Sequence, residues 1–157
     1  MPPTEGSKVV FSIETDEDIL RDYSGVLEEH YPELDWTEGK LPCSVDFDKY
    51  QLIYKNGNMV FLTARYNEEL IGYCSVYADY HLHNKDKVYG IVDFFYLKKN
   101  YRKGSVGIRF VKFIETKMKE FNIDVFCIQS RAKRDTGKLL TRLGYTEVET
   151  VYGKILE

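Results

Sequence analysis

A strand and a helix are joined by Tyr101-Arg102-Lys103-Gly104-Ser105-Val106-Gly107, the most informative stretch of this chain. The residues before it, 88–97, are aromatic and β-branched, which is typical of a buried strand. The residues after it, 106–121, carry apolar side chains at helical spacing, which predicts an amphipathic helix. Because such a turn exposes backbone N–H groups at the positive end of a helix dipole, we predict a phosphate-binding loop.

Two other phosphate-binding patterns are excluded by the residues at this loop and near the C-terminus. The loop lacks the Gly-x-Gly-x-x-Gly pattern of dinucleotide-binding folds and its downstream acid. Gly137-Lys138 lacks the upstream glycine and the following Ser or Thr of a nucleoside-triphosphate loop. The remaining alternative is that the glycines of residues 101–107 only make a tight strand-to-helix turn.

Length and composition limit the class of protein. A chain of 157 residues predicts one domain over residues 1–157, with residues 1–13 a tail or a first strand. The sequence has no apolar run long enough for a membrane span and no apolar signal core at its start, so we expect a cytoplasmic protein. A formal net charge of -3 disfavours a dedicated nucleic-acid binder.

The three cysteines do not suggest a disulfide framework or a metal site. Cys43, Cys74 and Cys127 are far apart and odd in number, and their spacing fits no zinc pattern. Cys74 and Cys127 fall in strand-like runs and are expected to be small buried side chains. No metal cofactor is therefore expected.

The order of elements predicts a mixed α/β (α+β) fold. A central sheet of six to seven strands should carry helices on both faces and contain a right-handed parallel βαβ unit. Thr15 should cap the first helix, and Pro32 should end it or kink it. The predicted elements are helices at 16–31 and 44–56, an antiparallel hairpin of strands at 59–66 and 70–78, a strand at 88–97, a helix at 106–121, a strand at 123–129, a helix at 133–143, and strands at 145–150 and 152–156. For the second helix, the alternative is that Asn56-Gly57 marks a hairpin turn. A polar connection is expected at 79–87.

The loop and its surroundings resemble the GCN5-related N-acetyltransferase (GNAT) superfamily. Residues 101–107 are similar to the Arg/Gln-x-x-Gly-x-Gly/Ala loop of that family, in the same place between strand and helix. Leu139-Leu140-Thr141-Arg142-Leu143-Gly144-Tyr145 resembles its closing helix and Gly-Phe/Tyr turn. The order of elements agrees from about Glu14 to Leu156. A narrower likeness, through a His-Leu-His connection and an aromatic central strand, is to acetyltransferase-like proteins of tailed bacteriophages.

The resemblance implies a GNAT fold with a splayed parallel strand pair that binds acetyl-CoA as cosubstrate. The pyrophosphate would lie on backbone N–H groups of the loop, where glycine permits close approach and the basic side chains add positive charge. The pantetheine arm would run along the strand. The implied cofactor-binding residues are Phe95, Tyr96, Leu97, Arg102, Lys103, Gly104, Ser105, Val106, Gly107 and Ser130.

Acetyl transfer to an amine needs a base, and Asp93 is the best candidate. Simple alternation places Asp93 on one strand face with Ile91, Phe95 and Leu97, as a carboxylate in an apolar strand, and the family often has an acid there. The alternative is a structural carboxylate bonded to loop backbone. His81 and His83 point to one side if their segment is extended, so they are second candidates for the base or for shaping the acceptor pocket, unless they are exposed loop residues.

The resemblance does not identify the residue that protonates the leaving thiolate. The family's usual acid, a tyrosine in the last helix, aligns with Leu140. Tyr152, Tyr96 and Ser130 are the candidates that remain, unless the thiolate leaves unassisted. Aromatic side chains of the N-terminal region are candidates for the acceptor pocket. They are Tyr23, Tyr31, Trp36, Tyr50 and Tyr54.

The sequence therefore predicts an acetyl-CoA-dependent N-acetyltransferase that moves an acetyl group to a primary amine by direct attack. One alternative is a catalytically impaired GNAT-fold protein that binds a host macromolecule, in the host cytoplasm if the protein is of phage origin. The other is a nucleic-acid- or tRNA-directed acyltransferase, suggested by the basic residues of 131–142, which otherwise form a solvated helix face. A monomer and a homodimer are both compatible with the sequence, and no membrane partner is expected.

Overall fold

The computed structural model describes residues 8–156, apart from the side chains of Leu20 and Ser24. The elements are β1 (Val9–Glu14), α1 (Asp16–Leu34), α2 (Phe47–Lys55), β2 (Met59–Tyr66), β3 (Glu69–His81), β4 (Asn84–Leu97), α3 (Val106–Glu120), β5 (Val125–Cys127) and α4 (Gly137–Arg142). A single 3-10 turn, Lys99–Tyr101, precedes α3. The choice between a tail and a first strand is thus settled for residues 9–13, which lie in β1.

The chain divides into two compact units. The first comprises residues 8–26 and 46–128, and the second comprises residues 27–45 and 129–156. The first unit contains all five strands together with α2 and α3. The single domain over residues 1–157 stays a prediction.

The five strands form one mixed sheet in the order β1-β2-β3-β4-β5. The first three pairings are antiparallel, and β4 and β5 are parallel. The parallel pair and the α3 crossover confirm the predicted βαβ unit. The polar connection predicted at 79–87 is wrong, because β3 and β4 pair as far as His81 and Asn84 and so make one long hairpin.

Helix α3 covers one face of the sheet. Its apolar stripe is buried, and Phe110 and Ile114 are completely inaccessible to solvent. The stripe packs with Leu62, Cys74 and Val92, which alternate onto this face from three neighbouring strands. Burial of Cys74 confirms its prediction as a small core side chain.

The opposite face is covered by an aromatic layer that includes residues of α1 and α2. The rings of Tyr23, Tyr73 and Phe94 lie 5.1–5.6 Å apart, and all three side chains are buried. Tyr54 of α2 stacks on Phe61 at 5.6 Å. Helices on both faces of the sheet are therefore confirmed. Tyr23 lies in the core, so it does not line an open acceptor pocket.

The start of α1 follows the prediction closely. Thr15 Oγ1 accepts a hydrogen bond from the Asp18 N–H, and Asp18 Oδ2 accepts one from the Thr15 N–H, both at 3.2 Å. This reciprocal pair satisfies two donors that the helix itself cannot satisfy. The helix continues past Pro32 to Leu34, which places that proline inside the last turn.

The predicted count of six to seven strands is wrong, since residues 8–156 contain five. The strands expected at 145–150 and 152–156 have no regular secondary structure. Their apolar side chains are exposed, with Val148 at 77% and Val151 at 82%. A β-branched composition favours a strand only where the side chains pack against cross-strand neighbours. Helix α4 is also shorter than predicted, because residues 131–134 form a tight turn before it.

Candidate active site

Strand β4 contains a β-bulge at Asp93. On β3, Ser75 pairs with Phe94, while the next residue, Val76, pairs with Val92. Asp93 is the additional residue that β4 places between these two pairs, which is the defining arrangement of a bulge. The extra residue changes which face each following side chain takes.

The bulge directs the Asp93 side chain toward α2. Its Oδ2 atom accepts a hydrogen bond from the Tyr50 hydroxyl and another from the Ser75 hydroxyl, the latter with an oxygen–oxygen distance of 3.4 Å. The prediction that Asp93 shares a face with Phe95 and Leu97 is wrong, because both of these pack into the core beneath α3. Strict alternation fails here because the bulge inserts one residue. Asp93 is also exposed to solvent rather than enclosed by apolar side chains.

Two neighbouring groups are kept neutral by their surroundings. Burial, and then the hydrogen bond and negative charge of Asp93, raise the pKa of Tyr50 far above its usual range, so its hydroxyl keeps its proton and remains a donor. Burial and the same negative charge raise the pKa of the Cys74 thiol in the same way. Asp93 therefore accepts a hydrogen bond from a phenol that stays protonated, whereas the Cys74 thiol lies on the α3 face of the sheet.

Sequence analysis missed Tyr50 and Ser75 as partners of Asp93. Ser75 gave a usable signal, because it is a hydroxyl side chain inside the apolar run of β3 and is completely buried. Tyr50 gave no such signal. It is one of several tyrosines in its region, and its contact with Asp93 spans 43 residues of sequence.

Strands β4 and β5 pair over only three residues. The pairing ends at Ile91 and Cys127, while β4 continues to Leu97 beside β3. The second half of β4 therefore leaves its parallel neighbour, which agrees with the splayed pair implied by the resemblance. Among the residues expected along the pantetheine arm, Phe95 is half-buried against Phe110, whereas Tyr96 and Leu97 are buried. A ligand would thus meet Tyr96 and Leu97 mainly through their backbone.

The loop after β4 is anchored at its first two residues. Tyr101 is buried, and the Arg102 Nε donates to the Leu97 carbonyl at 2.6 Å. The Arg102 guanidinium also lies over the Tyr96 ring, 5.4 Å from its centroid. Lys103 is exposed. The two basic residues differ accordingly, because Arg102 braces the loop while Lys103 extends from it.

Helix α3 begins at Val106, directly after the glycine loop. Ser105 precedes it, and within residues 8–156 its side chain makes no capping hydrogen bond. The first-turn N–H groups of α3 therefore point out of the helix without a side-chain cap, as an anion site needs. Gly104 has a φ of 84°, in the left-handed region that favours glycine. Gly107 has no such φ, and a Cβ there would meet Leu97 only at an ordinary 3.7 Å, so the fold itself does not require glycine at this position.

His81 and His83 lie at the tip of the β3–β4 hairpin. Their rings are 5.2 Å apart, and His81 also stacks on Tyr89 at 4.1 Å. The His83 N–H donates to His81 Nδ1 at 3.2 Å. At about 3.3 Å per residue, the tip is about 18 Å along the strand from Asp93. The structure therefore brings the histidines together with each other and with Tyr89, and does not bring them to Asp93.

The remaining predicted residues belong to the second unit. Ser130 accepts a hydrogen bond from the Thr136 N–H at 2.7 Å and donates to Asp135 at 3.0 Å, so its hydroxyl stabilises the turn before α4. Tyr152 is 91% exposed. Leu140 is buried within α4.

Neither a metal centre nor a membrane segment is found in the described part of the chain. Residues 8–156 contain no group of three or more histidine, cysteine, aspartate or glutamate side chains arranged to hold a metal ion. Among the helices of the same residues, none combines the length and apolar character that crossing a bilayer requires.

Comparison with known proteins gives a family match over most of the chain. A sequence model described as the acetyltransferase (GNAT) family matches residues 17–145. A search of curated proteins gave no match.

Solved structures share the fold at low sequence identity. A predicted acetyltransferase from Clostridium acetobutylicum, solved with acetyl-CoA, is 15% identical with a TM-score of 0.67 and covers 94% of this chain and 96% of its own. A ribosomal-protein-alanine N-acetyltransferase from Brucella melitensis biovar Abortus is 14% identical, with a TM-score of 0.69, and covers 94% of this chain and 99% of its own. An aminoglycoside acetyltransferase from an uncultured soil metagenomic sample is 12% identical, with a TM-score of 0.73, and covers 95% of this chain and 97% of its own. At these identities, the likeness shows the fold alone.

Proposed function

Because the chain belongs to the acetyltransferase (GNAT) family, we propose that it is an acetyl-CoA-dependent N-acetyltransferase that acetylates a primary amine. The observation that carries the proposal is the exposed Asp93 carboxylate on the bulge of β4, in the stretch where β4 has left β5. A bulge is a common device for aiming a side chain at a reaction centre.

Asp93 is the base in this proposal. The amine nitrogen attacks the thioester carbonyl carbon directly, the carbon–sulfur bond breaks, and CoA leaves as a thiolate. Asp93 takes the proton that the amine gives up, either directly or through a water molecule. An exposed carboxylate held by two hydroxyl donors supports this role, because it is accessible and fixed in direction.

The glycine loop and the first turn of α3 are the proposed site for the CoA pyrophosphate. The uncapped N–H groups of residues 105–107, the left-handed Gly104 and the exposed Lys103 support it. The braced Arg102 keeps the loop in place. Residues 95–97 are proposed to flank the pantetheine arm, chiefly through backbone groups, and Ser130 completes the proposed set.

The candidates for protonating the thiolate remain Tyr152, Tyr96 and Ser130. Tyr152 and Ser130 are exposed, whereas Tyr96 is buried. His81 and His83 are proposed to contact the acceptor rather than to act as base, because the hairpin carries them away from Asp93. A cytoplasmic location, a bacteriophage origin and a monomeric or homodimeric state rest on the sequence alone.

A second candidate function is binding without turnover. The buried Leu140 favours it, since the family's usual tyrosine would supply a proton and leucine supplies none. Action on nucleic acid is a weaker proposal that rests on the basic residues of the second unit.

The proposal is tested by measuring acetyl-CoA binding and acetyl transfer together. Calorimetry gives the affinity, and thiol release is measured with an aminoglycoside and with a peptide that begins with alanine, the acceptors named for two proteins of the same fold. We expect the unmodified protein to bind acetyl-CoA and to transfer the acetyl group to an amine. Asp93→Asn should bind equally well and lose at least about a hundredfold in kcat.

Asp79→Asn is the matched control, because Asp79 is another exposed aspartate of the same hairpin, bonded to the Tyr77 hydroxyl at 3.0 Å. It should leave both binding and transfer unchanged. Binding without transfer to any amine would favour the second candidate. No binding at high micromolar acetyl-CoA would contradict both.

A further inference from the structure

The Asp93 carboxylate is held by hydroxyl groups from two different elements. Tyr50 reaches it from α2, and Ser75 reaches it from β3, and both donate to the same oxygen, Oδ2. Hydrogen bonds from a hydroxyl to an ionised carboxylate are stronger than those between neutral groups. These two hydrogen bonds therefore hold the carboxylate in one orientation before any substrate binds.

We propose that Tyr50 is a positioning residue that holds the Asp93 carboxylate in the orientation needed to accept the proton of the amine, with Ser75 as a second and weaker donor. This inference rests on the proposed function and adds a residue to its mechanism. Tyr50 acts through Asp93 and is not assigned any contact with the substrates.

The environment of Tyr50 suits a permanent donor. Its ring lies 5.9 Å from Phe94 and 6.4 Å from Phe61, so aromatic packing sets its direction. Burial and the facing Asp93 raise its pKa, so the hydroxyl stays protonated through the range in which acetyl transfer operates. The phenol can thus stabilise the carboxylate without competing to accept the proton of the amine.

Helix α2 depends on contacts of this kind for its own attachment. None of its described residues is fully buried. It packs on Phe61 of the sheet through Tyr50 and Tyr54, and on Tyr23 of α1 through Phe47. Tyr23 of α1 is a titratable neighbour of Tyr50 on this face, whereas Cys74 lies on the α3 face of the sheet. The proposal therefore assigns the orientation of Asp93 to Tyr50 and Ser75.

The first test needs no substrate. Protein labelled with ¹³C-aspartate is measured by infrared spectroscopy, and the band of the Asp93 carboxylate is identified by its loss in Asp93→Asn. Tyr50→Phe keeps the ring and removes the donor, so we expect this band to shift. Tyr54→Phe is the matched control, since Tyr54 is a neighbouring tyrosine of α2 that stacks on Phe61, and it should leave the band in place.

A second measurement tests the inference even if the Tyr50→Phe variant does not fold. In the unmodified protein, the hydroxyl proton of Tyr50 should give a downfield, slowly exchanging nuclear magnetic resonance signal. That signal should disappear or move upfield in Asp93→Asn. An unshifted infrared band in folded Tyr50→Phe, or no such hydroxyl signal, overturns the inference whether or not the protein transfers acetyl groups.

Kinetics with an acceptor that proves active provide the third test. Tyr50→Phe should lower kcat by about tenfold and leave the KM for acetyl-CoA unchanged. Ser75→Ala should act in the same direction with a smaller effect, because its hydrogen bond is long. A fall in kcat of the same size when Tyr50→Phe is added to Asp93→Asn would show that Tyr50 does not act through Asp93.

Discussion

The guanidinium of Arg65 on β2 lies 2.6 Å from the Asp22 carboxylate on α1, and this ion pair joins the first helix to the sheet. The Nε of Arg65 also donates to Glu14 of β1 at 3.0 Å. Glu14 in turn accepts hydrogen bonds from the hydroxyls of Ser12 and Thr63. One side chain therefore connects three elements of the first unit.

We expect Arg65→Met to destabilise the protein by about 2 kcal/mol, because it leaves the partly buried Glu14 without its cation and Asp22 with only the exposed Arg21. The side chains of Arg65, Glu14 and Asp22 are only 18%, 12% and 21% exposed. Urea unfolding measures the change. Arg21→Met is the control, since Arg21 pairs with the same Asp22 but is 64% exposed and should contribute less than about 1 kcal/mol. Equal losses in the two variants would contradict the assignment.

The same cluster predicts how stability depends on acid. Hydrogen bonds from Arg21 and Arg65 hold the pKa of Asp22 below its usual value. A depressed folded pKa stabilises the protein above the unfolded pKa of about 4, and the stabilisation is lost as the pH falls through the folded value. The midpoint of thermal unfolding should therefore fall more steeply below about pH 4 in the unmodified protein than in Arg65→Met. Identical slopes would show that Asp22 is not coupled to Arg65.

Gly72 is expected to be intolerant of any side chain. A Cβ at this position would lie 2.8 Å from the Tyr96 carbonyl oxygen and 2.9 Å from a methyl of Leu97, and the first of these is backbone that cannot rotate away. Gly72→Ala should lower the free energy of unfolding by about 1–3 kcal/mol through overpacking. Gly25→Ala provides the opposite case, because nothing lies within 4 Å of its Cβ and α1 is a helix. It should raise stability by about 0.5–1 kcal/mol.

The two glycines of the proposed phosphate loop should respond differently to alanine. Gly104→Ala forces a left-handed conformation on a residue with a Cβ, so the free energy of unfolding should fall by about 1–2 kcal/mol. Gly107 has an ordinary φ and room for a methyl group, so the free energy of unfolding of Gly107→Ala should stay the same or rise slightly. If the CoA pyrophosphate lies on this turn, Gly107→Ala should still weaken acetyl-CoA binding by about tenfold, as measured by calorimetry. Unchanged affinity would place the phosphate elsewhere.

Much of the fold was predictable because its signals are local. The Thr15 cap, the β2–β3 hairpin and the apolar stripe of α3 each follow from a few neighbouring residues, and each is confirmed. The prediction of strands after Gly144 was wrong because strand formation is not decided by local signals alone. A strand depends on a partner far away in sequence, and propensity alone does not provide one.

The candidate site was predictable in residue type but not in geometry. An acid in the central strand, a basic glycine loop and a helix start are visible in the sequence. The face on which Asp93 lies is not, because a bulge depends on pairing between β3 and β4 rather than on the composition of β4. For the same reason, its contact with Tyr50 is the part that only the structure supplies. The roles of Asp93, the two histidines, Tyr152 and the loop residues stay predictions.

The bulge at Asp93 separates what this strand does for the sheet from what it does for chemistry. Val92 and Phe94 on either side of Asp93 each fill a place in the β3–β4 ladder and in a packed layer, so changing them disturbs the fold. Asp93 is the surplus residue, and its side chain is exposed. This position can therefore change identity without disturbing the β3–β4 ladder, while the hydroxyls of Tyr50 and Ser75 lose their acceptor. The stability cost of a new side chain at Asp93 would come from those two donors and not from the strand pairing.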